Sequence, residues 1–178
     1  KEAISKYLVI KDIKKELKSE IDGLQETAVK INLPEKDITL LKIKDIFDLE
    51  QKTNKSNFTK AFINQNKGGI PVYSASKNPD FMGYGKVKDE LDEIKYFSDC
   101  LTWNIDGSVG KAFFRKGKFS LSEKVIPLIL QNRWENKINP LYVKYVLESK
   151  AIEKGFAFTN KAGKSKISDI EIEIPHDK

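Results

Sequence analysis

The stretch Leu101–Leu130, LTWNIDGSVGKAFFRKGKFSLSEKVIPLIL, constrains the fold of this chain more than any other. Asp106-Gly107 lies between two β-prone runs, one ending at Ile105 and one passing through Phe113 and Phe114. A two-residue Asp-Gly connection is a strong hairpin signal, because both central positions of that turn take φ > 0. A second turn, predicted at Lys116-Gly117, leads through Phe119 to a third β-rich run, Val125–Leu130. Asn104, Asp106, Ser108, Lys111, Arg115 and Lys118 crowd these turns, so polar donors gather on a rigid β scaffold.

Around that stretch the chain reads in order. Leu17, Ile21, Leu24, Ala28 and Ile31 recur at steps of four and three, with Ile10 one heptad before Leu17. The spacing predicts a helix over 1–33 that packs on another helix, either of its own domain or of a partner. Gly23 weakens it by about 1 kcal/mol relative to alanine, and Leu33-Pro34 ends it. Ile38–Leu49 predicts a strand or a short turn of helix, and 51–60 a polar loop. Pro71 restricts Ile70–Tyr73 to an edge or a strand start. Residues 86–96 read as a charged hairpin arm or helix. Asn139-Pro140 starts a helix, with Leu141, Tyr142, Tyr145, Val146 and Ile152 as its apolar face and Gly155 as its stop. A basic loop over 159–166 follows, and Ile170, Ile172 and Ile174 alternate with Glu171 and Glu173 in a half-buried strand that ends at Pro175.

A chain of 178 residues holds one ordinary domain with an appendage. No run reaches the roughly 20 apolar residues of a membrane span, and no charged-then-apolar leader is present. The single cysteine, Cys100, reads as a small buried hydrophobe and suits a cytoplasmic location. Charge is unevenly placed: residues 1–50 carry net −1 and residues 51–178 carry net +7. A basic domain behind a neutral leader fits a polyanion, most simply nucleic acid.

Motifs that imitate catalytic sites are incomplete. Asn78-Pro79-Asp80-Phe81 imitates an amino-methyltransferase tetrapeptide without its second proline, and no βαβ pattern surrounds it. Pro79-Asp80 followed by Glu93-Ile94-Lys95 matches a nuclease signature in which carboxylates hold a divalent metal and a lysine orients water. So short a signature arises by chance in a Lys- and Glu-rich chain, and 86–96 lacks the apolar strand that carries its second half. A metal-dependent nuclease using Asp80, Glu93 and Lys95 stands as one alternative. A protein-interaction module that binds through residues 1–31 stands as another. His176 is the only histidine, and no phosphate-binding glycine loop occurs. No cofactor and no metal are expected.

Several motifs then fall in a telling order: Gly69-Ile70-Pro71, Leu101-Thr102-Trp103-Asn104, Gly107-Ser108-Val109-Gly110-Lys111 and Arg115-x-Gly117-Lys118-Phe119. Asn139-Pro140-x-Tyr142, the basic loop and the closing Ile-x-Ile-x-Ile-Pro strand complete the set. Over roughly residues 40–175 this resembles a target recognition domain of the specificity subunit of Type I restriction–modification systems, or the homologous domain of a fused restriction–modification enzyme. The resemblance implies a non-catalytic protein that reads one half of a bipartite DNA site. It directs a partner DNA methyltransferase, with a restriction subunit, to that site. Helical regions in the family pack as an antiparallel coiled coil, which gives the 1–33 seam a purpose and allows self-association or a second recognition domain. The chain carries one such domain, which fits an excised domain, a half-length subunit or the specificity end of a fused enzyme.

The expected fold is therefore α+β. A recognition domain over 38–178 has a twisted, largely antiparallel sheet with flanking helices, and the N-terminal helix precedes it. Lysines on loops neutralise phosphates, while a few side chains meet base edges in the major groove. The expected pool of double-stranded DNA contacts is Lys52, Asn54, Lys55, Ser76, Lys77, Asn104, Lys111, Arg115, Lys161 and Lys164. Asn104 and Lys111 double as candidates for stabilising turns. The hairpin residues read as shared scaffold, and the loops at 51–60, 74–80 and 159–166 as the source of target-specific contacts.

Overall fold

The computed structural model describes residues 18–19, 38–50, 54, 58–80 and 82–175, so the predicted helix over 1–33 lies almost wholly outside the described residues. Thr39–Ile174 forms one compact unit. It starts with β1 (Ile38–Lys42), a helical turn α1 (Ile43–Ile46) and the short β2 (Phe47–Asp48), so strand and helix turn both occur. Next come α2 (Lys60–Gln65), capped by the Thr59 hydroxyl, then β3 (Lys67–Tyr73) and β4 (Lys86–Val87). The centre is built from β5 (Tyr96–Asn104), β6 (Ala112–Leu121) and β7 (Val125–Leu130). A 3-10 turn (Asn132–Trp134), α3 (Pro140–Glu153), α4 (Lys164–Ser168) and β8 (Glu171–Pro175) complete it.

The fold is α+β. Six strands lie in the order β2-β7-β5-β6-β3-β4, and β1 pairs with β8 in a separate two-stranded sheet. Within the six-stranded sheet only β3 and β6 run parallel. Pro71 sits in β3 between two neighbours rather than at an edge. Val72 donates its N–H to Gly85 on the β4 side, so the proline nitrogen faces β6, where pairing begins only at Val72.

The predicted hairpin exists, but neither predicted turn does. β5 and β6 are joined by a loop over 105–111, in which Asn104 N–H donates to Lys111 O at 2.9 Å and Gly110 N–H to Asn104 O at 3.1 Å. Positive φ falls at Gly107 (66°) and Gly110 (79°), not at Asp106. Lys116-Gly117 lies inside β6. There the register slips opposite Asp99, which takes φ 47° and accepts from Gly117 N–H at 2.9 Å. This is a bulge, and a bulge bends the strand that carries it. The bend is needed. Leu121 and Val125 are joined by at most about 14 Å of chain. On a flat sheet the β5 positions beside them, Tyr96 and Asn104, would stand about 26 Å apart. β6 and β7 reach opposite edges of β5 only because the sheet is strongly coiled.

One face of this sheet carries the main core. Trp103, Leu101 and Leu128 pack there with Ile43, Ile46, Phe47, Ile167, Ile170 and Ile172. The alternating strand was legible: Ile172 and Ile174 are buried while Glu171 and Glu173 are exposed. Tyr142 O–H donates to Glu173 O at 2.6 Å and pins that strand to α3. Burial pushes the Cys100 thiol up to about 12, with Asp99 adding to the shift, so it stays a protonated core side chain. The 86–96 segment is a hairpin arm only at its start, where Lys86–Val87 pairs antiparallel with β3. The rest is no helix but a turn closed by Ile94 N–H on Leu91 O, with Ile94 buried and the Tyr96 hydroxyl donating to Lys88 O.

α3 starts as predicted, with Asn139 accepting from Leu141 N–H and Pro140 in the first turn. Its buried face matches only in part: Val143, Leu147 and Ala151 are buried with Tyr142 and Val146 half-buried against the core, whereas Leu141, Tyr145 and Ile152 are 50%, 66% and 78% exposed. The helix is apolar on several sides, so periodicity cannot choose a face, and two tertiary contacts do. The Glu148 carboxylate accepts from Ala112 N–H at 2.8 Å. Gly110 lies so close that a Cβ there would stand 2.9 Å from the Ala151 Cβ. Gly110→Ala meets both that clash and the positive φ, and should cost about 2–4 kcal/mol in urea unfolding, against near-neutrality for Gly163→Ala, where a Cβ meets open space.

Candidate nucleic-acid interface

Four loops converge where β5 ends. Asn104 is fully buried, and its side-chain amide donates to Ser76 O at 3.0 Å, tying the β3–β4 loop to the strand. Gly107 packs on Ala75, with 3.3 Å from an added Cβ to the Ala75 Cβ and carbonyl oxygen. Ile105 N–H donates to Lys124 O at 3.0 Å, which brings in the β6–β7 connection. Lys161 Nζ reaches Asp106 Oδ2 at 2.9 Å, which brings in the loop after α3. The hydrogen bond from Lys161 holds the Asp106 carboxyl below its ordinary range, helped by Gly107 N–H and the charge of Lys124. A lowered aspartate supports the fold above its unfolded pKa and loses that support as pH falls through the folded value. The tie between these loops is therefore complete at neutral pH.

The β3–β4 loop has its own bracing. Ser76 Oγ accepts from Asn78 N–H at 3.0 Å and Asn78 Oδ1 from Asp80 N–H at 2.9 Å. The Arg115 guanidinium lies 3.9 Å from the Tyr73 ring centroid and 4.8 Å from that of Phe113, and its Nη1 donates to Pro79 O. Arg115 is only 5% exposed. Burial lowers its pKa, and Tyr73 and Asp80 oppose the shift.

The expected contacts sort into three groups. Lys52 and Lys55 lie outside the described residues. Asn54, Asn104 and Arg115 are buried, so they support loops rather than face a ligand. Asn54 is a pin: its amide donates to Ser120 Oγ at 2.8 Å and Leu121 O at 3.0 Å and accepts from Lys95 N–H at 2.6 Å. The exposed group contains Lys77, Lys111, Lys161 and Lys164, with Ser76 half-buried beneath Lys77. Lys111 approaches Glu148 at 3.6 Å, and Lys164 holds Glu50 at 2.6 Å. Lys164 borders a separate open groove of about 540 Å³, lined also by Phe47, Leu49 and Gln131. Lys124 went unnoticed in the sequence because the turn that exposes it was placed at Lys116-Gly117 instead.

The nuclease signature does not assemble on a strand. Asp80 is on the β3–β4 loop, Glu93 is in the turn before β5, and both backbone groups of Lys95 bind Asn54. Among the described residues no three His, Cys, Asp or Glu side chains form a metal-holding group.

Residues 35–178 match the family model described as "Type I restriction modification DNA specificity domain". The chain belongs to this family. Curated relatives include a putative type I specificity subunit, S.MpnORF507P, of Mycoplasma pneumoniae, 28% identical over 141 residues, covering 78% of this chain and 36% of that protein. The type I restriction enzyme MpnII specificity subunit of the same organism is 29% identical over 135 residues, covering 75% of this chain and 38% of that protein. The fold is that of the HsdS subunit from Thermoanaerobacter tengcongensis, with a TM-score of 0.62 at 12% identity over 94% of this chain and 42% of that one. The S subunit from M. genitalium superposes with a TM-score of 0.56 at 18% identity over 84% of this chain and 37% of that one. As a DNA specificity domain, the chain thus spans between about a third and two-fifths of the length of these relatives.

In this specificity domain, Asn54→Ala strands Lys95 N–H and Leu121 O. It should lower stability by about 2–4 kcal/mol, read as a fall in the urea midpoint at unchanged slope.

Proposed function

We propose that the chain is a non-catalytic DNA recognition module of a Type I restriction–modification system. It reads one half of a bipartite site in double-stranded DNA and delivers a methyltransferase subunit, and through it a restriction subunit, to that site. Residues 38–178 act as the recognition domain. Residues 1–33 act as the packing helix that sets its spacing to a second domain or copy, within the cytoplasm where such a complex meets DNA.

The observation that carries this reading is the convergence of four loops on the coiled sheet, with Lys77, Lys124 and Lys161 exposed among them. Loops already held by internal hydrogen bonds lose little freedom on binding, so more of the contact energy appears as affinity. Lysines such as Lys124 and Lys161 supply attraction to phosphates without sequence information, and the polar tips of the loops, Lys77 among them, supply the reading of base edges.

The test is a fluorescence anisotropy titration of the chain with mixed-sequence duplex DNA at two salt concentrations. Neutralising about three phosphates gives a log–log slope of about −2.7 and an affinity loss of roughly 40-fold between 50 and 200 mM salt. No association at either salt, or association indifferent to salt, overturns the proposal.

A further inference from the structure

Among the described members of the expected contact pool, Lys77 is the one exposed cation with no partner inside the protein. Lys111, Lys161 and Lys164 each approach a carboxylate. The segment beneath Lys77 is built at some cost. Asn104 and Arg115 are both buried, and each grips one side of the loop by a carbonyl, Ser76 O and Pro79 O. Each also keeps a buried polar atom without a partner, Asn104 Oδ1 and Arg115 Nε. Apolar side chains here would avoid these two unmet atoms but would release the loop carbonyls Ser76 O and Pro79 O. Sequence that tolerates unmet polar groups beneath one short loop marks that loop as shaped for a task other than stability.

We propose that the β3–β4 loop, clamped from beneath by Asn104 and Arg115, presents Lys77 to the acceptor edge of a guanine in the major groove and so specifies one base pair of the target. This rests on the reading of the chain as a DNA recognition module and assigns its specificity. An ammonium group carries only donors, and guanine O6 and N7 form the paired acceptors that it meets best. The alternative, a phosphate contact, fits the surroundings less well. Asp80 is exposed on the same loop, and a carboxylate on the loop that carries the donor repels phosphate. Asn104 and Arg115 are positioning residues: they touch the loop, and Lys77 touches the base.

The experiment presents the 178-residue chain with a pool of duplexes randomised over the central base pairs, and sequences the retained fraction. The native chain should enrich a motif containing a guanine. Lys77→Ala should reduce the preference at that one position tenfold or more and leave the others intact, with affinity for mixed-sequence duplex changed less than threefold. Lys77→Arg should keep the guanine, because arginine offers the same edge a bidentate donor. Arg115→Met and Asn104→Ala should relax the same position as Lys77→Ala. If these two variants do not fold, the exposed Lys77 variants decide alone. A Lys77→Ala protein that binds all sequences equally less well, with a shallower salt slope, makes Lys77 a phosphate contact and overturns the proposal. So does an unchanged motif, or a native chain that binds duplex with salt dependence yet enriches nothing; in those cases the DNA-binding reading survives. A native chain that binds no duplex at all removes both.

Discussion

Trp103 and Asn104 are neighbours at the end of β5, and side chains on a strand alternate faces. Trp103 is buried in the main core, where its Nε1–H donates to Ala162 O at 2.9 Å. Asn104 turns the other way, its amide on Ser76 O. These two hydrogen bonds, the first buried and the second partly so, connect the strand at the centre of the sheet to the two long loops beside it. Inside a protein a donor left without its acceptor is far costlier than the same donor in water. The two bonds therefore hold the 157–163 segment and the β3–β4 loop to one rigid strand end. The convergence of loops, and every functional argument drawn from it, depends on that alternation.

Electrostatics acts on a different scale. The positive charge of the domain is real, yet many of its lysines are engaged: Lys44 with Asp169, Lys118 with Asp89, Lys161 with Asp106, Lys164 with Glu50. These pairs are exposed, and such pairs add little stability. Their consequence is one of selection, because an engaged lysine must exchange a carboxylate for a phosphate before it contributes to binding. Net charge suits a polyanion, while the pairing decides which cations are ready for one.

Much of the fold was legible in the residues. The β5–β6 hairpin, the third strand over Val125–Leu130, the capped start of α3 and the alternating closing strand all follow from local spacing and local hydrogen bonding. The errors share one cause. Asp106-Gly107 and Lys116-Gly117 look alike as dipeptides, but one became part of a longer loop and the other a bulge inside a strand. Glycine announces positive φ without saying which element will use it. The face of α3 was legible only at Tyr142 and Val146, because a helix apolar on several sides is oriented by what its small residue touches, here Ala151 against Gly110. Asn54, Asn104 and Arg115 carry the side-chain chemistry of a DNA contact, and burial turned all three into supports.

By itself the sequence determined the class of the protein. An ordered set of motifs, a basic domain and β runs with turn residues between them suffice for an α+β domain of the Type I specificity family, since such signals are local and additive. Only the tertiary structure decided which polar side chains face outward. That depends on the coiling of the sheet, which lets 122–124 join strands on opposite edges of β5 and brings Lys124 beside Asp106. Coiling sums small twists and one bulge over many residues, and no short stretch of sequence records that sum. The hairpin motif marks the scaffold, and the folding of distant loops against Asn104 and Arg115 singles out Lys77.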